Sequence, residues 1–371
     1  MTTIYIAYSG GVDSHILLDI FAGTPDVKAI HVNHKLHPEA DHWAEHCERI
    51  CQHYSIECIV KTVTIVPKKG ESIEALARAA RYHVFESLLE AGDMLLTAHH
   101  QDDQAETVLL QLLRGAGVKG LSAMPEIASF GQGYLMRPLL EVSREAIVKK
   151  AQEKKLEWIE DKSNTQLSFD RNFLRHEIFP KLKTRWPSCA KTFSRSATHC
   201  AEAQNVLDAW AKEIMDVHEN TLSIEVLNPL SLPQKKAVLR SWIESRGCVL
   251  PSEKKLDEII HHMIDVRWDA TPCVTWGEVE VRRYRDKLYI LNSKSKEALT
   301  NKQLGSKDIR FRQGGETMRL PNRQGRHRLK KLFQEWGVPP WVRDEIPLVF
   351  EDGELVEVVG FVSNVSEEDD A

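Results

Sequence analysis

The N-terminal stretch of the chain changes its hydrophobic period across a pair of glycines. Residues Thr3–Tyr8 alternate β-forming side chains, and the residues after Asp13 place apolar side chains at helical spacing. Between them, the loop Ser9–Ser14 contains Gly10 and Gly11, which lack the Cβ atoms that would keep a ligand away from the backbone. A helix that begins near Asp13 would direct free N–H groups at an anion. The stretch therefore predicts a strand, a phosphate-binding loop and a helix, with an ordinary strand–turn–helix connection as the alternative.

The same alternation of strand and helix continues through the N-terminal half. Further strand patterns occur at Val27–Val32 and Met94–Ala98, with helical patterns between them, which favours a parallel sheet with helices on both faces. Beyond Trp186-Pro187 the helical patterns become longer, and the polar stretch Asn292–Asn301 is typical of a linker. We predict an α/β fold with a Rossmann-like parallel-sheet domain (1–190), a mainly helical middle domain (191–300) and a small α+β domain with a disordered acidic tail (301–371).

Composition excludes several classes of protein. Of the 371 residues, 42% are hydrophobic, but no apolar run is long enough to cross a bilayer, and Met1 leads directly into the first strand pattern without a secretory signal. The seven cysteines form no Cys-x-x-Cys pair, which argues against a disulfide framework and against an iron–sulfur or zinc site. We therefore expect a cytoplasmic chain without membrane segments, and no protein partner is evident.

Positive charge is concentrated near the C-terminus. The formal net charge of −5 by itself discourages a nucleic-acid partner, but a total averages over domains. The segment Ile309–Leu332 has Glu316 as its only acid. Lysine and arginine side chains in such a segment neutralise nucleic-acid phosphates and position a duplex without reading its bases. The residues predicted to bind nucleic acid are Arg323, Arg326, Arg328, Lys330 and Lys331.

Two familiar nucleotide motifs do not fit the chain. No Gly-Lys-Ser or Gly-Lys-Thr follows the first loop at the spacing of a Walker A motif. The segment Gly115–Gly120 spells G-x-G-x-x-G, but it follows a helical pattern, whereas a dinucleotide-binding fingerprint follows a strand. Arg114 and Lys119 are instead expected near the strand ends, where open α/β sheets bind ligands.

An acidic cluster follows the strand pattern at Met94–Ala98. On a helix that begins near Asp102, the side chains of Asp103, Glu106 and Thr107 share one face. Two carboxylates brought together beside a nucleotide suit Mg²⁺. Because acids also stabilise helix N-termini through the helix dipole, ordinary capping is the alternative for this cluster.

The first loop resembles the S-G-G-x-D-S loop of the N-type ATP pyrophosphatases, the PP-loop family. Members of this family cleave ATP to AMP and pyrophosphate when an oxygen of the substrate attacks the α-phosphate. The resemblance implies that backbone N–H groups and serine hydroxyls bind the departing pyrophosphate and that Asp13 holds Mg²⁺ against it. The predicted ATP-binding residues are Ser9, Gly10, Gly11, Val12, Asp13 and Ser14.

Further motifs resemble one branch of that family, the isoleucine-tRNA lysidine synthetases. Their pattern contains H-H-x-D-D-x-x-E-T, which the chain has at His99–Thr107, and R-G-x-G-x-x-G-L, which it has at Arg114–Leu121. The stretches Trp158–Asn164 and Arg171–Arg175 also resemble this family, and the basic segment Ile309–Leu332 resembles its distal tRNA-contacting domain. The resemblance spans nearly the whole chain.

The resemblance implies a substrate and a reaction. In this family, ATP adenylates the C2 oxygen of the wobble cytidine in an isoleucine tRNA with a CAU anticodon, and the ε-amine of free L-lysine then displaces AMP to leave lysidine. Arg78 and Arg114 are the implied stabilisers of the pyrophosphate charge, while for Arg78 and Arg81 a solvated helix face is the alternative. The groups that would orient or deprotonate the amine are His99, Asp103 and Glu106, and the predicted Mg²⁺ ligands are Asp13, Asp103 and Glu106.

Two other functions remain open at this point. One is another PP-loop enzyme that adenylates tRNA or a related substrate. The absence of paired cysteines argues against a thiolase, and no glutaminase-like segment supports an amidotransferase-type synthetase. The other is a non-catalytic tRNA-binding protein with a nucleotide fold, which would bind ATP without turnover.

Overall fold

A computed structural model gives the fold of residues 2–66, 73–160, 166–215, 221–265, 272–292, 308–321 and 323–363. The chain separates into two compact units, Met1–Leu207 and Asp208–Ala371. The predicted linker after Asn292, the acidic tail and the end of the stretch Trp158–Asn164 lie outside the described residues. The division into three domains therefore stays a prediction. Within the described ranges, no helix is both long enough and apolar enough to cross a membrane.

The first unit is built on one six-stranded sheet. Its strands are β1 (Ile4–Ala7), β2 (Val27–Asn33), β3 (Glu57–Thr62), β4 (Met94–Leu96), β5 (Ile127–Phe130) and β6 (Gly133–Met136). They are arranged in the order β3-β2-β1-β4-β6-β5, and all neighbours are parallel except β5 and β6. The predicted parallel α/β architecture is confirmed, and the antiparallel edge strand β5 is an addition to it.

Helices cover both faces of this sheet. On one face, Ile16, Cys47 and Ile147 join three helices to the sheet in one buried core, and on the other face Phe85 and Leu89 belong to a second core. Ser143 caps one of these helices by accepting a hydrogen bond from the Ala146 N–H (3.2 Å). The helices are α1 (Val12–Phe21), α2 (Ala40–His53), α3 (Ile73–Leu88), α4 (Gln101–Leu113), α5 (Val118–Leu121), α6 (Arg144–Glu153), α7 (Asp170–Phe173), α8 (Phe179–Arg185) and α9 (Cys189–Ile214), with a π-helical turn (Leu174–Ile178) between α7 and α8.

The strand order places two of the predicted motifs side by side. From β1 the chain proceeds to β2 and β3 on one side of the sheet, whereas β4 lies on the other side of β1. The loops that leave the carboxyl ends of β1 and β4 therefore flank the point where the strand order reverses. Open α/β sheets bind ligands at such a point.

The second unit begins with a four-stranded antiparallel sheet packed against helices. Two of its strands form a hairpin with a tight turn in which Arg285 has φ = +56°. Ser231 and Ser252 cap helices. The elements are β7 (Thr221–Ser223), α10 (Ile224–Leu227), α11 (Leu232–Ser245), α12 (Glu253–Ile259), a π-helical turn (Ile260–Ile264), β8 (Cys273–Trp276), β9 (Val279–Tyr284) and β10 (Lys287–Asn292), and the sheet has the order β7-β10-β9-β8.

The second unit also contains a separate sheet near the C-terminus, with one helix packed on it. Its core includes Met318, Phe333 and Leu348, all of which are fully buried. Trp336 packs against that core and stacks on Phe361, with 5.5 Å between the ring centroids. The elements are β11 (Asp308–Arg310), β12 (Thr317–Leu320), β13 (Arg323–Arg328), α13 (Leu329–Glu335), β14 (Leu348–Glu351), β15 (Glu354–Val358) and β16 (Val362–Ser363), in the order β11-β14-β15-β12-β13 with β16 beside β15.

Candidate active site

The loop between β1 and α1 has a backbone conformation at position 10 that favours glycine. Gly10 has φ = +83°, and a Cβ atom added there would lie 2.8 Å from Cδ1 of Ile159 and 3.1 Å from Sγ of Cys47. The carbonyl of Gly10 also accepts a hydrogen bond from the Ile159 N–H (2.9 Å). The residues packed against the loop therefore fix its backbone before any ligand binds.

The two serine hydroxyls close this loop. Oγ of Ser9 lies 3.0 Å from Oγ of Ser14, and the Ser14 hydroxyl donates to the carbonyl of Gly11 (3.0 Å). α1 begins after Gly11 without a side-chain cap. The first N–H groups of α1 are thus left for a ligand, and the helix dipole favours an anion there. This geometry supports the predicted role of Ser9–Ser14 in binding phosphate.

Asp13, in the first turn of α1, has a buried carboxylate oxygen. Among the described residues, Oδ1 of Asp13 has no hydrogen-bond partner, and Oδ2 lies 3.8 Å from Nε2 of His100. Burial raises the pKa of Asp13, and the nearby His100 and Arg144 side chains oppose that rise. A buried carboxylate oxygen is costly unless a cation or a hydrogen-bond donor reaches it. Asp13 therefore offers the oxygen chemistry that Mg²⁺ requires.

α4 begins with a capping box formed by His100 and Asp103. His100 is 1% exposed. Its Nδ1 accepts a hydrogen bond from the Asp103 N–H (3.3 Å), and the Asp103 carboxylate accepts one from the His100 N–H (3.0 Å). Nε2 of His100 lies 3.4 Å from Oδ2 of Asp103 and 3.8 Å from Oδ2 of Asp13. The imidazole therefore lies between the carboxylate of Asp13 in α1 and that of Asp103 in α4.

Asp103 and Glu106 face two arginines. Nη2 of Arg171 lies 3.2 Å from Oδ1 of Asp103, and its Nε lies 2.8 Å from Oε2 of Glu106. Nη2 of Arg175 lies 2.8 Å from Oδ1 of Asp103, and its Nε lies 2.7 Å from Oε1 of Glu106. Burial alone would raise the pKa of Asp103, but His100, Arg171 and Arg175 outweigh it and lower the pKa. Mg²⁺ bound by Asp103 or Glu106 would compete with these arginines, so that predicted role stays a prediction.

The segment from α7 to α8 carries both arginines to α4. Arg171 lies in α7, and Arg175 follows one turn later in the π-helical turn, so both reach the same face of α4. Beneath them, Ala105 of α4 packs in a small core with Leu174 and Phe179. π-helical turns are frequent at functional sites. Apolar packing and ion pairs together thus hold this segment on the acidic helix.

Asp102 connects α4 to α6 and α8. Its Oδ1 lies 2.5 Å from Nζ of Lys183, and its Oδ2 accepts a hydrogen bond from the Arg144 N–H (3.0 Å). The Gln101 N–H also donates to the carbonyl of Val142 (3.0 Å), just before α6. Since α4 begins beside both α1 and α6, three helix N-termini meet at one place. Their dipoles favour negative charge there.

His99 lies at the edge of the cluster. Its Nδ1 is 2.8 Å from the Thr97 hydroxyl. Burial lowers the pKa of His99 to about 3; the Asp103 charge opposes this shift, whereas Arg171 adds to it. At neutral pH the imidazole is therefore uncharged and a weak base. This environment suits an orienting role for His99 better than the acceptance of a proton from an ammonium group.

The structure brings Arg78 towards this cluster but not Arg114. Arg78 on α3 donates to the hydroxyl of Tyr82 (3.2 Å) and is among the charges that lower the pKa of His99. Arg114 follows the last residue of α4. Because an α-helix rises about 1.5 Å per residue, Arg114 lies roughly 16 Å along the helix axis from Asp103. The predicted role of Arg114 in stabilising pyrophosphate gains no support from this placement.

The predicted nucleic-acid-binding residues lie on β13 and at the start of α13, in the second unit. All five are exposed. Two of them form surface ion pairs, Arg323 with Glu335 (2.6 Å) and Arg326 with Glu354 (2.7 Å). Exposed ion pairs contribute only about 0–1 kcal/mol, so a phosphate can replace the acid at little cost. The five residues are Arg323, Arg326, Arg328, Lys330 and Lys331.

Sequence patterns leave His100 and Arg144 without an assigned role. For Arg171 and Arg175 they suggest a contact with tRNA or closure of the site, with a salt-bridged helix start as the alternative. A signal for His100 exists, because it precedes Asp103 by the three residues of a capping box. Histidine is not among the preferred capping residues, so that spacing is easily passed over. No spacing signal links the arginines to Asp103, because about 70 residues separate them.

Family models match three segments of the chain. A PP-loop domain matches residues 1–182, a TilS substrate binding domain matches residues 222–289, and a TilS substrate C-terminal domain matches residues 308–370. The first segment contains the loop, α4 and the arginines described above. The third contains β13 and α13.

Curated relatives match nearly the full length of the chain. The tRNA(Ile)-lysidine synthase of Coxiella burnetii is 40% identical over 96% of this chain and 88% of its own length. That of Methylococcus capsulatus is 40% identical over 97% and 91%, and that of Serratia proteamaculans is 38% identical over 98% and 92%. Among solved structures, the U34-tRNA thiolase NcsA from Methanococcus maripaludis has a TM-score of 0.44 and 17% identity, over 54% of this chain and 72% of its own.

Proposed function

Because the chain belongs to the tRNA(Ile)-lysidine synthase family, we propose that it joins the ε-amine of free L-lysine to C2 of the wobble cytidine in an isoleucine tRNA with a CAU anticodon. Family membership gives the coarser activity, which is the formation of lysidine on tRNA(Ile) by a PP-loop enzyme that uses ATP. The observation that carries the finer proposal is the meeting of Asp13, His100 and Asp103 where the strand order reverses.

The loop and the start of α1 bind ATP in this proposal. The uncapped N–H groups of α1 and the hydroxyls of Ser9 and Ser14 hold the leaving pyrophosphate, and Arg144 adds positive charge near Asp13. Asp13 would hold Mg²⁺ through its carboxylate, and the ion would offset the charge of the phosphates. In the described part of the chain, no cluster of three or more His, Cys, Asp or Glu side chains could hold a metal alone. The remaining ligands would therefore be phosphate oxygens and water.

Asp103 and Glu106 orient the lysine amine in this proposal. Both are buried, at 8% and 2% exposure, and the lowered pKa of Asp103 keeps that group as a carboxylate. The ammonium group of lysine would share the carboxylate oxygens with Arg171 and Arg175, and the amine must lose protons before and after it attacks C2. The pairing with Arg171 and Arg175 fixes the direction of the carboxylate oxygens.

The exposed basic residues of β13 and α13 bind tRNA phosphates in this proposal. Such contacts position the duplex, while the target base must leave its stack to reach the first unit. Since tRNA, ATP and free lysine are all present in the cytoplasm, we propose that the enzyme acts there.

One assay tests the proposal. Purified protein is incubated with ATP, Mg²⁺, labelled lysine and CAU-anticodon isoleucine tRNA, with methionine tRNA of the same anticodon as the control. Label is expected in the isoleucine tRNA, and Asp103→Asn should abolish its transfer while tRNA affinity stays nearly unchanged. Release of pyrophosphate without lysine transfer would indicate a different adenylating enzyme. ATP binding without turnover would indicate a binding protein.

A further inference from the structure

His100 touches both parts of the site, the loop after β1 and the start of α4. It is 1% exposed, and its Nε2 lies 3.8 Å from Oδ2 of Asp13 and 3.4 Å from Oδ2 of Asp103. Its Nδ1 accepts a hydrogen bond from the Asp103 N–H (3.3 Å). Because an imidazole nitrogen that accepts a hydrogen bond carries no proton, the ring proton lies on Nε2. Nε2 is therefore a donor that faces two carboxylates.

We propose that His100 is a positioning residue for Asp13: capping of α4 through Nδ1 fixes the ring, and its Nε2 edge, 3.8 Å from Oδ2 of Asp13, restricts the direction of that carboxylate. The inference rests on the proposed function, which it deepens by naming the residue that sets the direction of the loop carboxylate.

The two ring nitrogens have different contacts, and this distinguishes the positioning role from simple capping of α4. Capping needs one acceptor, and a short Asn, Asp or Ser side chain supplies it as well as histidine does. A histidine adds a donor on the opposite edge of the ring, here 3.4 Å from Oδ2 of Asp103 and 3.8 Å from Oδ2 of Asp13. A donor between Asp13 and Asp103 also reduces the repulsion of the two carboxylates. The arrangement leaves Oδ1 of Asp13 as the oxygen without a partner among the described residues.

Two substitutions test the contributions of Nδ1 and Nε2 separately. His100→Asn keeps an acceptor near the position of Nδ1 and loses the donor at Nε2, whereas His100→Gln keeps a donor near Nε2 and loses the short cap. We expect His100→Asn to melt close to the wild-type temperature but to release pyrophosphate about 100-fold more slowly, the typical cost of a misplaced reacting group. We expect His100→Gln to show the reverse, with a lower melting temperature and turnover within about 5-fold of wild type.

A second readout makes the test independent of the overall reaction. The affinity for ATP is measured by calorimetry with and without Mg²⁺, using the full chain. His100→Asn should lose most of the Mg²⁺-dependent gain in ATP affinity, and His100→Gln should keep it. Equal losses in both variants, or wild-type behaviour of His100→Asn, would overturn the positioning role. If the wild-type protein transfers no lysine to tRNA, the proposed function fails, while the calorimetric comparison still decides the role of His100.

Discussion

The acidic face of α4 and the basic surface of β13 and α13 both carry several charges, but they hold them in different ways. On α4, Glu106 is 2% exposed and Asp103 is 8% exposed, and each carboxylate contacts two arginines. On the basic surface, every predicted contact residue is exposed, and the ion pairs found there are single and solvated.

The difference shows that the fixed positions of the charges matter on α4, whereas the number of charges matters on the basic surface. A buried charge is costly unless its partners stay in place, so one substitution on α4 disturbs several contacts. An exposed charge is screened by water and salt, so each residue of the basic surface contributes a small and nearly independent share. A reaction at a single base requires buried charges held in fixed positions. Binding to many phosphates requires only several exposed charges.

Asp13→Asn is expected to have the largest effect among the substitutions of buried charges in the candidate site. The substitution removes a buried negative charge that burial already disfavours, as its raised pKa shows, so the free energy of unfolding should stay equal or increase. It also removes the proposed Mg²⁺ ligand, so ATP-dependent pyrophosphate release should fall by roughly 1,000-fold or more. Thermal melting and a pyrophosphate assay measure the two effects.

Asp19→Asn is the matched control on the same helix. Asp19 pairs with Lys154 (2.5 Å) and accepts a hydrogen bond from Tyr54 (3.2 Å), outside the candidate site. It should lower the melting temperature and leave pyrophosphate release unchanged. If both variants lose stability and keep their turnover, Asp13 is an ordinary helix residue.

Arg175→Ala tests whether the ion pairs of α4 stabilise the unit. Among the residues that the structure describes, Glu106, whose side chain is 3% exposed, would keep Arg171 as its remaining ion-pair partner. Breaking one partner of a buried pair costs about 3–5 kcal/mol, and because Arg171 remains we expect about 2–3 kcal/mol. Urea unfolding measures the change. The exposed Arg185 on α8 provides the control, and a cost for Arg175→Ala no larger than that of Arg185→Ala would contradict the comparison.

Much of the fold could be predicted from local patterns because local physics decides it. The glycine loop after β1, the caps at Ser143 and Ser231 and the β9–β10 hairpin all follow from turn and capping chemistry. β13 could not be predicted, because its sequence of Arg, Gln, Gly and His has no apolar alternation. It becomes a strand through backbone pairing with β12, whose Met318 is fully buried.

The site was predicted in part for the same reason. Spacing alone places Asp103 and Glu106 on one face of α4, but their partners Arg171 and Arg175 are brought there by tertiary packing of the π-helical turn. Arg114 is different, because the helical rise of α4 alone places it at the far end from Asp103, so the spacing already argues against its predicted role at the pyrophosphate. Contacts between distant segments are the part that the sequence does not reveal.

The triple substitution of Arg326, Arg328 and Lys330 by alanine tests the role of the basic surface in tRNA binding. Each phosphate contact contributes about 0.7–0.9 to the slope of log affinity against log salt, so the slope should fall by about 2–3 and tRNA affinity should drop by about 10- to 100-fold at low salt. The melting temperature should not change, since the surface ion pair lost with Arg326 contributes little. Lys191→Ala, an exposed site on α9, is the control, and an unchanged salt slope in the triple variant would exclude the surface from tRNA binding.

Asp102→Asn gives the smallest expected effect and tests whether the buried pairs are electrostatic. Burial alone would raise the pKa of Asp102, but Lys183 and the Arg144 N–H lower it below the ordinary aspartate value of 3.8. A carboxyl with a lowered folded-state pKa stabilises the fold above its unfolded-state pKa, and that contribution disappears as the pH falls through the folded-state value. Asp102→Asn should therefore be about 1–2 kcal/mol less stable than wild type at pH 7, and the gap should close as the pH falls through the folded-state pKa of Asp102. Urea unfolding at several pH values measures the gap, with the exposed Glu153→Gln as control. A gap that does not change with pH would mean that Asp102 contributes through hydrogen bonding alone, and the charges at the start of α4 would then resemble those of the exposed surface.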